Sequence, residues 1–290
     1  MVKLYGIGGI VMRKITEEKI KNFKSNLYRE EKADATIEKY VRDVKLFMYW
    51  CEEKDVNREM LLEYKKYIVD TYKPTSANSM ISSLNCFFAY MGWQGYKIKP
   101  VKIQRKIFAD KSKELSKKEY EKLLNAAWKK GDYRLYYIMQ TICSTGIRIS
   151  ELRFVTTDAV KNGQTIINCK GKIRTIILPK QLCNMLLGYI KKEGIKKGSV
   201  FISKNGNPMD RSNIWTQMKK LCKDAGVSGT KVFPHNLRHL FARTFYSIHK
   251  DIIRLSDILG HSNINTTRIY TMETGIIHRF QIQKLGLLRC

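Results

Sequence analysis

Five residues of three types fall in order through the second half of the chain: Arg148, His235, Arg238, His261 and Tyr270. Their contexts are Thr-Gly-Ile-Arg-Ile-Ser-Glu-Leu at 145–152, Pro-His-Asn-Leu-Arg-His at 234–239, Leu-Gly-His-Ser at 259–262 and Thr-Thr-Arg-Ile-Tyr-Thr at 266–271. Side chains of these types can open a phosphodiester. A protein hydroxyl attacks phosphorus, a nucleic-acid hydroxyl leaves, and the bond's energy is kept in an ester to the protein, so reversal by another strand needs no ATP. Tyrosine suits the attack because its phenol, with a pKa near ~10, is both a fair nucleophile and a tolerable leaving group. The transition state loads negative charge on two non-bridging oxygens, which guanidinium groups meet with paired, charge-assisted hydrogen bonds. His235 and Arg238 are three apart on a helix opened by Pro234, so both can face one phosphate.

In this order, with Tyr270 nine positions after His261, the motifs resemble those of the tyrosine recombinases, also called the phage integrase family, which includes the Xer recombinases and phage lambda integrase. The resemblance covers most of the chain. It implies Tyr270 as the nucleophile of a covalent 3′-phosphotyrosyl intermediate, Arg148 and Arg238 as ligands of the non-bridging oxygens, His235 as the proton acceptor for the tyrosine, and His261 as a further hydrogen-bonding partner of the phosphate. It also implies a hairpin lysine that protonates the leaving oxygen. Lys170, in Lys170-Gly171 with Arg174 behind it, is the expected acid; Lys172 is the alternative, because the turn is one residue short after Gly171. Glu151, three residues after Arg148, would orient that arginine or form a surface ion pair. His235 and His239 are four apart, as in a zinc-binding His-Glu-x-x-His helix, but Asn236 stands where the glutamate would be, so no metal or other cofactor is expected.

Charge agrees with a polyanionic partner. Of the formal net charge of +28, residues 1–110 carry +7 (21 Lys and Arg against 14 Asp and Glu) and residues 111–290 carry +21 (33 against 12). Such an excess repels itself in the folded state unless a polyanion offsets it, which favours nucleic acid. A membrane surface is disfavoured, because the basic residues form no single polybasic amphipathic helix. Seven scattered cysteines without Cys-x-x-Cys spacing fit a reducing cytoplasm. The early apolar run at 4–12 is too short to span a bilayer, and Gly6-x-Gly8-Gly9 lacks the third glycine of a dinucleotide fingerprint.

The elements that would hold these residues are mostly helical. Ile37, Tyr40, Val41, Val44, Phe47 and Met48 recur three and four apart within 35–53, and further helices are expected at 57–71 and 76–91. Trp50 and Phe87 read as core in this pattern, not as DNA contacts. Periodicity breaks over 93–112, and 97–112 is a basic linker expected to follow phosphates as a flexible strap through Lys97, Lys99, Lys102, Arg105 and Lys106. Ser116 and Glu119 have capping-box spacing before a helix through Trp128, and another helix is expected over 134–143. Asn162-Gly163 is a hairpin signal, followed by strands at 165–169 and 172–178. Helices are expected again at 182–192, 211–224, 235–247, 252–259 and 265–270.

The expected architecture is mainly α: an extension at 1–12, a helical core-binding DNA-binding domain at 13–96, the linker at 97–112, and a mostly helical catalytic domain with a small antiparallel β-sheet at 113–290. The activity implied by the resemblance is site-specific recombination of double-stranded DNA at paired inverted-repeat core sites. The protein would be a homotetramer in the synaptic complex and a monomer or weak oligomer when free. Two alternatives stay open: supercoil relaxation of the type IB topoisomerase kind, and a DNA-binding regulator that has kept the fold without the chemistry. The segment after Tyr270, with Ile276, Ile277, Phe280 and Leu287 on one stripe, would pack on its own domain or on a neighbouring subunit.

Overall fold

A computed structural model describes residues 13–52, 54–103, 111–169, 172–271, 279–280 and 282–287. The chain divides into two compact units, Met1–Arg105 and Lys106–Cys290.

Four α-helices make up most of the described part of the first unit: α1 (Glu17–Arg29), α2 (Asp34–Trp50), α3 (Arg58–Thr71) and α4 (Pro74–Tyr90). Local chemistry sets their starts. Thr16 and Asn57 accept backbone N–H bonds from Lys19 and Met60, and Pro74 takes the first helical position, where a missing N–H costs nothing. Apolar residues three and four apart turn inward, and Phe47, Tyr64, Phe87 and Phe88 are fully buried. Trp50 packs on Tyr64 at 5.0 Å between ring centroids, so both it and Phe87 belong to the core. One buried carboxylate joins α2 to α4: Asp43 accepts from Lys39 at 2.6 Å and from the Ser83 hydroxyl at 2.8 Å.

The expected flexible strap begins as a docked segment. Asn85 exchanges two hydrogen bonds with the backbone of Ile98, and Asn78 exchanges two with Val101. Side-chain amides thus satisfy backbone groups in place of a sheet partner, and Ile98 is buried. Lys97, Lys99 and Lys102 project from this segment as exposed side chains. Arg105 and Lys106 lie outside the described residues.

In the second unit, Ser116 and Glu119 form the expected capping box at the start of α5 (Lys117–Lys129). Then come α6 (Tyr133–Thr145), a 3₁₀ turn (Ile149–Phe154), α7 (Thr157–Asn162), the strands β1 (Gln164–Cys169) and β2 (Lys172–Ile177), α8 (Lys180–Lys192), α9 (Arg211–Ala225), α10 (Pro234–His249) and α11 (Ile252–Leu259). The strands pair antiparallel, from Gln164 opposite Ile177 to Cys169 opposite Lys172. Helix α10 packs on α6, and α5 on α9, around a core that includes Ile138, Ile142, Met218 and Leu237. Among the described residues, no helix is long and apolar enough to cross a membrane.

Two local expectations are corrected. Asn162-Gly163 does not turn a hairpin: Gly163, at φ 68°, ends α7. The left-handed conformation that makes Asn-Gly a hairpin signal serves equally as a helix C-cap. Residues 265–270 are not one helix but the 3₁₀ turns Ile264–Thr266 and Arg268–Tyr270. β-branched Ile264, Thr266, Thr267 and Ile269 crowd the segment, and the Asn263 side chain caps its first turn by accepting from the Asn265 N–H.

Candidate active site

Arg148 follows the end of α6. Gly146 closes that helix at φ 65°, and Arg148 is extended before the 3₁₀ turn begins. Glu151 reaches back to it twice, accepting the Arg148 backbone N–H at 2.7 Å and its Nη1–H at 3.1 Å. Glu151 is therefore no surface partner: it is 2% exposed, whereas the Arg148 side chain is 42% exposed. The Glu151 oxygen that accepts the Arg148 backbone N–H, Oε2, also accepts from Arg174 Nη2 on β2 at 2.5 Å, and Arg174 Nη1 donates to the carbonyl of Ile258 on α11. Burial by itself would raise the Glu151 carboxyl, but the Arg148 N–H and the Arg174 and Arg148 guanidinium groups outweigh it and hold the group below the usual carboxylate range. A carboxylate fixed in the charged state in turn fixes the arginine that faces outward.

Arg238, on α10, is 2% exposed. Its Nη1 donates to the Gly146 carbonyl at 2.5 Å and its Nη2 to the Leu259 carbonyl at 2.8 Å, so the ends of α6 and α11 hold it between them. Burial, followed by the Arg148 charge, brings its pKa down to about 10, which leaves it charged at neutral pH. Nη2 also stands 3.0 Å from Nε2 of His261. A guanidinium only donates, so Nε2 carries the lone pair and Nδ1–H donates to Thr267 Oγ1 at 2.9 Å. Burial and the neighbouring Arg238 and Arg148 charges lower the His261 pKa to about 4, so the ring is neutral at pH 7. Gly260 precedes it at φ +63°, and a Cβ there would come within 2.5 Å of the Arg174 side chain. Only glycine meets both conditions without strain.

Tyr270, in the last 3₁₀ turn, is 5% exposed. Its ring lies nearly parallel to that of His261 at 6.3 Å between centroids and edge-to-face with that of His239 at 4.8 Å. Burial raises its pKa, and the Arg238 and Arg148 charges oppose the shift. His235 has an edge open to solvent; the protein packed on its other side, with the Arg238, Arg148 and Arg211 charges, keeps its pKa below the ordinary value. An open cavity of about 750 Å³ is lined by Arg148, His235 and Arg238 together with Arg211, Trp215 and Lys219 of α9. Arg238 belongs both to this cavity and to the His261–Tyr270 cluster. The arrangement can bind an anion in the cavity and hold a hydroxyl next to the same guanidinium.

Five of the expected residues, Arg148, His235, Arg238, His261 and Tyr270, are thus brought together with Glu151. Lys170 lies outside the described residues, and Lys172 is described as the strand partner of Cys169. Sequence reasoning missed the work of Arg174 and Thr267. For Arg174 a signal existed: in a period of two it shares a face with buried Ile176, where a charged side chain needs a partner. Thr267 left none, because its role depends on a bond to a ring six residues away.

Residues 113–275 match the Phage integrase family, and residues 20–95 match the Phage integrase, N-terminal SAM-like domain. The tyrosine recombinase XerA of Thermococcus kodakarensis is 28% identical over 269 residues, which cover 89% of this chain and 91% of that protein. The tyrosine recombinase XerD of Vibrio cholerae is 25% identical, over 82% of this chain and 86% of its own length. Among solved structures, a lambda integrase dimer bound to a COC′ core site superposes with a TM-score of 0.71 at 16% identity, covering 90% of this chain and 96% of that one. XerH bound to palindromic difH substrate, in a post-cleavage complex, superposes with a TM-score of 0.67 at 21% identity, covering 94% and 88%. With its motifs converging on one cluster and more than half of its length matching the catalytic family, the chain belongs to the phage integrase family of tyrosine recombinases.

Proposed function

We propose that this protein cuts and rejoins double-stranded DNA at specific core sites, with Tyr270 as nucleophile. The observation that carries the reading is Arg238, one buried guanidinium shared by the basic cavity and the Tyr270–His261 cluster. A scissile phosphate in the cavity would take paired hydrogen bonds from Arg148 and Arg238, whose strength grows as negative charge develops on the non-bridging oxygens. Tyr270 Oη forms a bond to phosphorus while the bond from phosphorus to the 5′ oxygen breaks. The phenolic proton passes to His235, which is neutral at pH 7, and the 5′ oxygen takes a proton from Lys170 or, with a shifted register, from Lys172. The 3′-phosphotyrosyl ester then awaits a 5′ hydroxyl from another strand, and the same steps run in reverse. As Arg238 exchanges its contact with His261 for a phosphate oxygen, the ring proton moves from Nδ1 to Nε2, where it donates to the phosphate while the Thr267 hydroxyl donates to Nδ1.

The remaining surface supports the same partner. Arg211 and Lys219 extend the cavity's positive lining along α9, and Lys97, Lys99 and Lys102 offer exposed charges from the first unit. We read residues 13–96 and 113–290 as the core-binding and catalytic domains, joined by a basic linker and working on inverted-repeat sites in the cytoplasm. A homotetramer on two paired sites is the expected working form, in keeping with the lambda integrase tetramer bound to a Holliday junction, which shares the fold.

Two labelled duplexes bearing inverted-repeat sequences, sought in the DNA that flanks the gene, test this function. Exchange of strands between the duplexes is the expected result. Relaxation of any supercoiled plasmid without exchange would instead identify a topoisomerase, and binding without either product a regulator.

A further inference from the structure

A nucleophile carried on a three-residue 3₁₀ turn takes its ring orientation from whatever packs against it. Two rings flank Tyr270. One belongs to His261, part of the expected catalytic set; the other belongs to His239, which the reaction as written does not use. His239 follows Arg238 directly on α10 and stands four residues after His235, so all three side chains lie on one side of the helix. Its ring meets that of His235 at 4.4 Å and 71° on one side and that of Tyr270 at 4.8 Å and 80° on the other. The row His235, His239, Tyr270 is thus continuous, and its middle member touches the ring of the nucleophile at the distance and angle of a favourable edge-to-face pair.

We propose that His239 is a positioning residue: its ring, packed nearly perpendicular to that of Tyr270, orients the nucleophile beside Arg238, so that α10 fixes the phosphate ligand and the nucleophile in one register. Burial, and then the His235, Arg243 and Arg238 charges, hold the His239 pKa at about 4, so at neutral pH it packs as an uncharged ring. An uncharged ring of similar shape should therefore replace it. The inference rests on Tyr270 being the nucleophile.

The test measures single-turnover cleavage of a nicked core-site duplex by the full-length protein. His239→Ala is expected to slow formation of the Tyr270 adduct by roughly 3- to 10-fold, the range for loss of one edge-to-face pair, with DNA affinity unchanged. His239→Phe should restore the rate to within about twofold. The same His239→Ala change is then made in a Tyr270→Phe protein supplied with hydrogen peroxide, a small nucleophile whose oxygen bonds to phosphorus as the 5′ oxygen leaves. Because peroxide needs no tyrosine, its rate should be the same with His239 or Ala. An equal loss in the peroxide reaction would overturn the proposal by assigning His239 to the phosphate or to the fold, and so would faster cleavage or a failure of His239→Phe to rescue. Should His239→Ala not fold, His239→Leu, which fills the space without a ring edge, is expected to show the same selective loss. An adduct that survives in Tyr270→Phe alone removes the nucleophile assignment and the inference with it. Loss of that adduct, together with a wild-type rate for His239→Ala, removes the inference only.

Discussion

Arg238 Nη2 and His261 Nε2 stand 3.0 Å apart, and because the arginine can only donate, the contact fixes the histidine as the Nδ1–H tautomer. The same burial that makes this contact strong keeps a second positive charge out, which is why His261, and His239 beside Tyr270, have pKa values of about 4. Folding stability follows from this. Each folded pKa lies below the ordinary 6.5, so as pH falls the unfolded chain takes up protons first. The stability is fully present above about 6.5 and is lost as pH falls toward 4. Thermal melts between pH 7.5 and ~4.5 should show a decline that is shallower in a His239→Phe protein. Parallel curves would assign the acid sensitivity to other groups.

Arg148 and Arg238 should separate in their effects. Removing either phosphate ligand is expected to slow cleavage by about 10²- to 10³-fold. Arg238 is buried and joins the ends of α6 and α11, whereas Arg148 reaches into the cavity. Arg238→Ala should therefore also lower the melting temperature, and Arg148→Ala should leave it nearly unchanged. Kinetics and melting curves on the two variants check this; equal melting temperatures would mean that the Gly146 and Leu259 carbonyls do not depend on Arg238.

Glu151 holds two arginines, so its loss strands buried charge. Glu151→Ala is expected to cost about 3 kcal/mol, the low end for breaking a buried ion pair from one side. Urea titration measures it, and a change below about 0.5 kcal/mol, the size of an ordinary surface substitution, would contradict the buried arrangement.

How much of this was legible beforehand depends on the range of the interaction. Helices α2, α3 and α5 were visible because their apolar spacing and caps lie within a few residues, as with Ser116 and Glu119. The site residues were visible as types in order. Their support was not: Glu151 meets Arg174 across 23 residues, and Arg238 meets Gly146 across 92, distances at which only the folded chain brings partners together. Asn162-Gly163 misled because one backbone conformation serves two kinds of ending.

Lys170 and Lys172 can be separated through the leaving group. Loss of a general acid should slow cleavage by about 10²- to 10⁴-fold, and sulfur in place of the bridging 5′ oxygen leaves without a proton. Lys170→Ala is expected to be slow on normal DNA and rescued by sulfur, with Lys172→Ala little changed on either. Since Cys169 pairs with Lys172 across the strands, rescue of Lys172→Ala instead would hand the role to the strand residue.

Tyr270 carries the central claim, and a covalent trace tests it. A nicked core-site duplex, from which the cleaved fragment diffuses away, should trap the protein on a 3′ phosphate in the presence of EDTA. Peptide mapping of the adduct should find the label on Tyr270, and Tyr270→Phe should abolish the adduct while DNA binding is retained. An adduct undiminished in Tyr270→Phe, or mapped to another residue, would contradict the account.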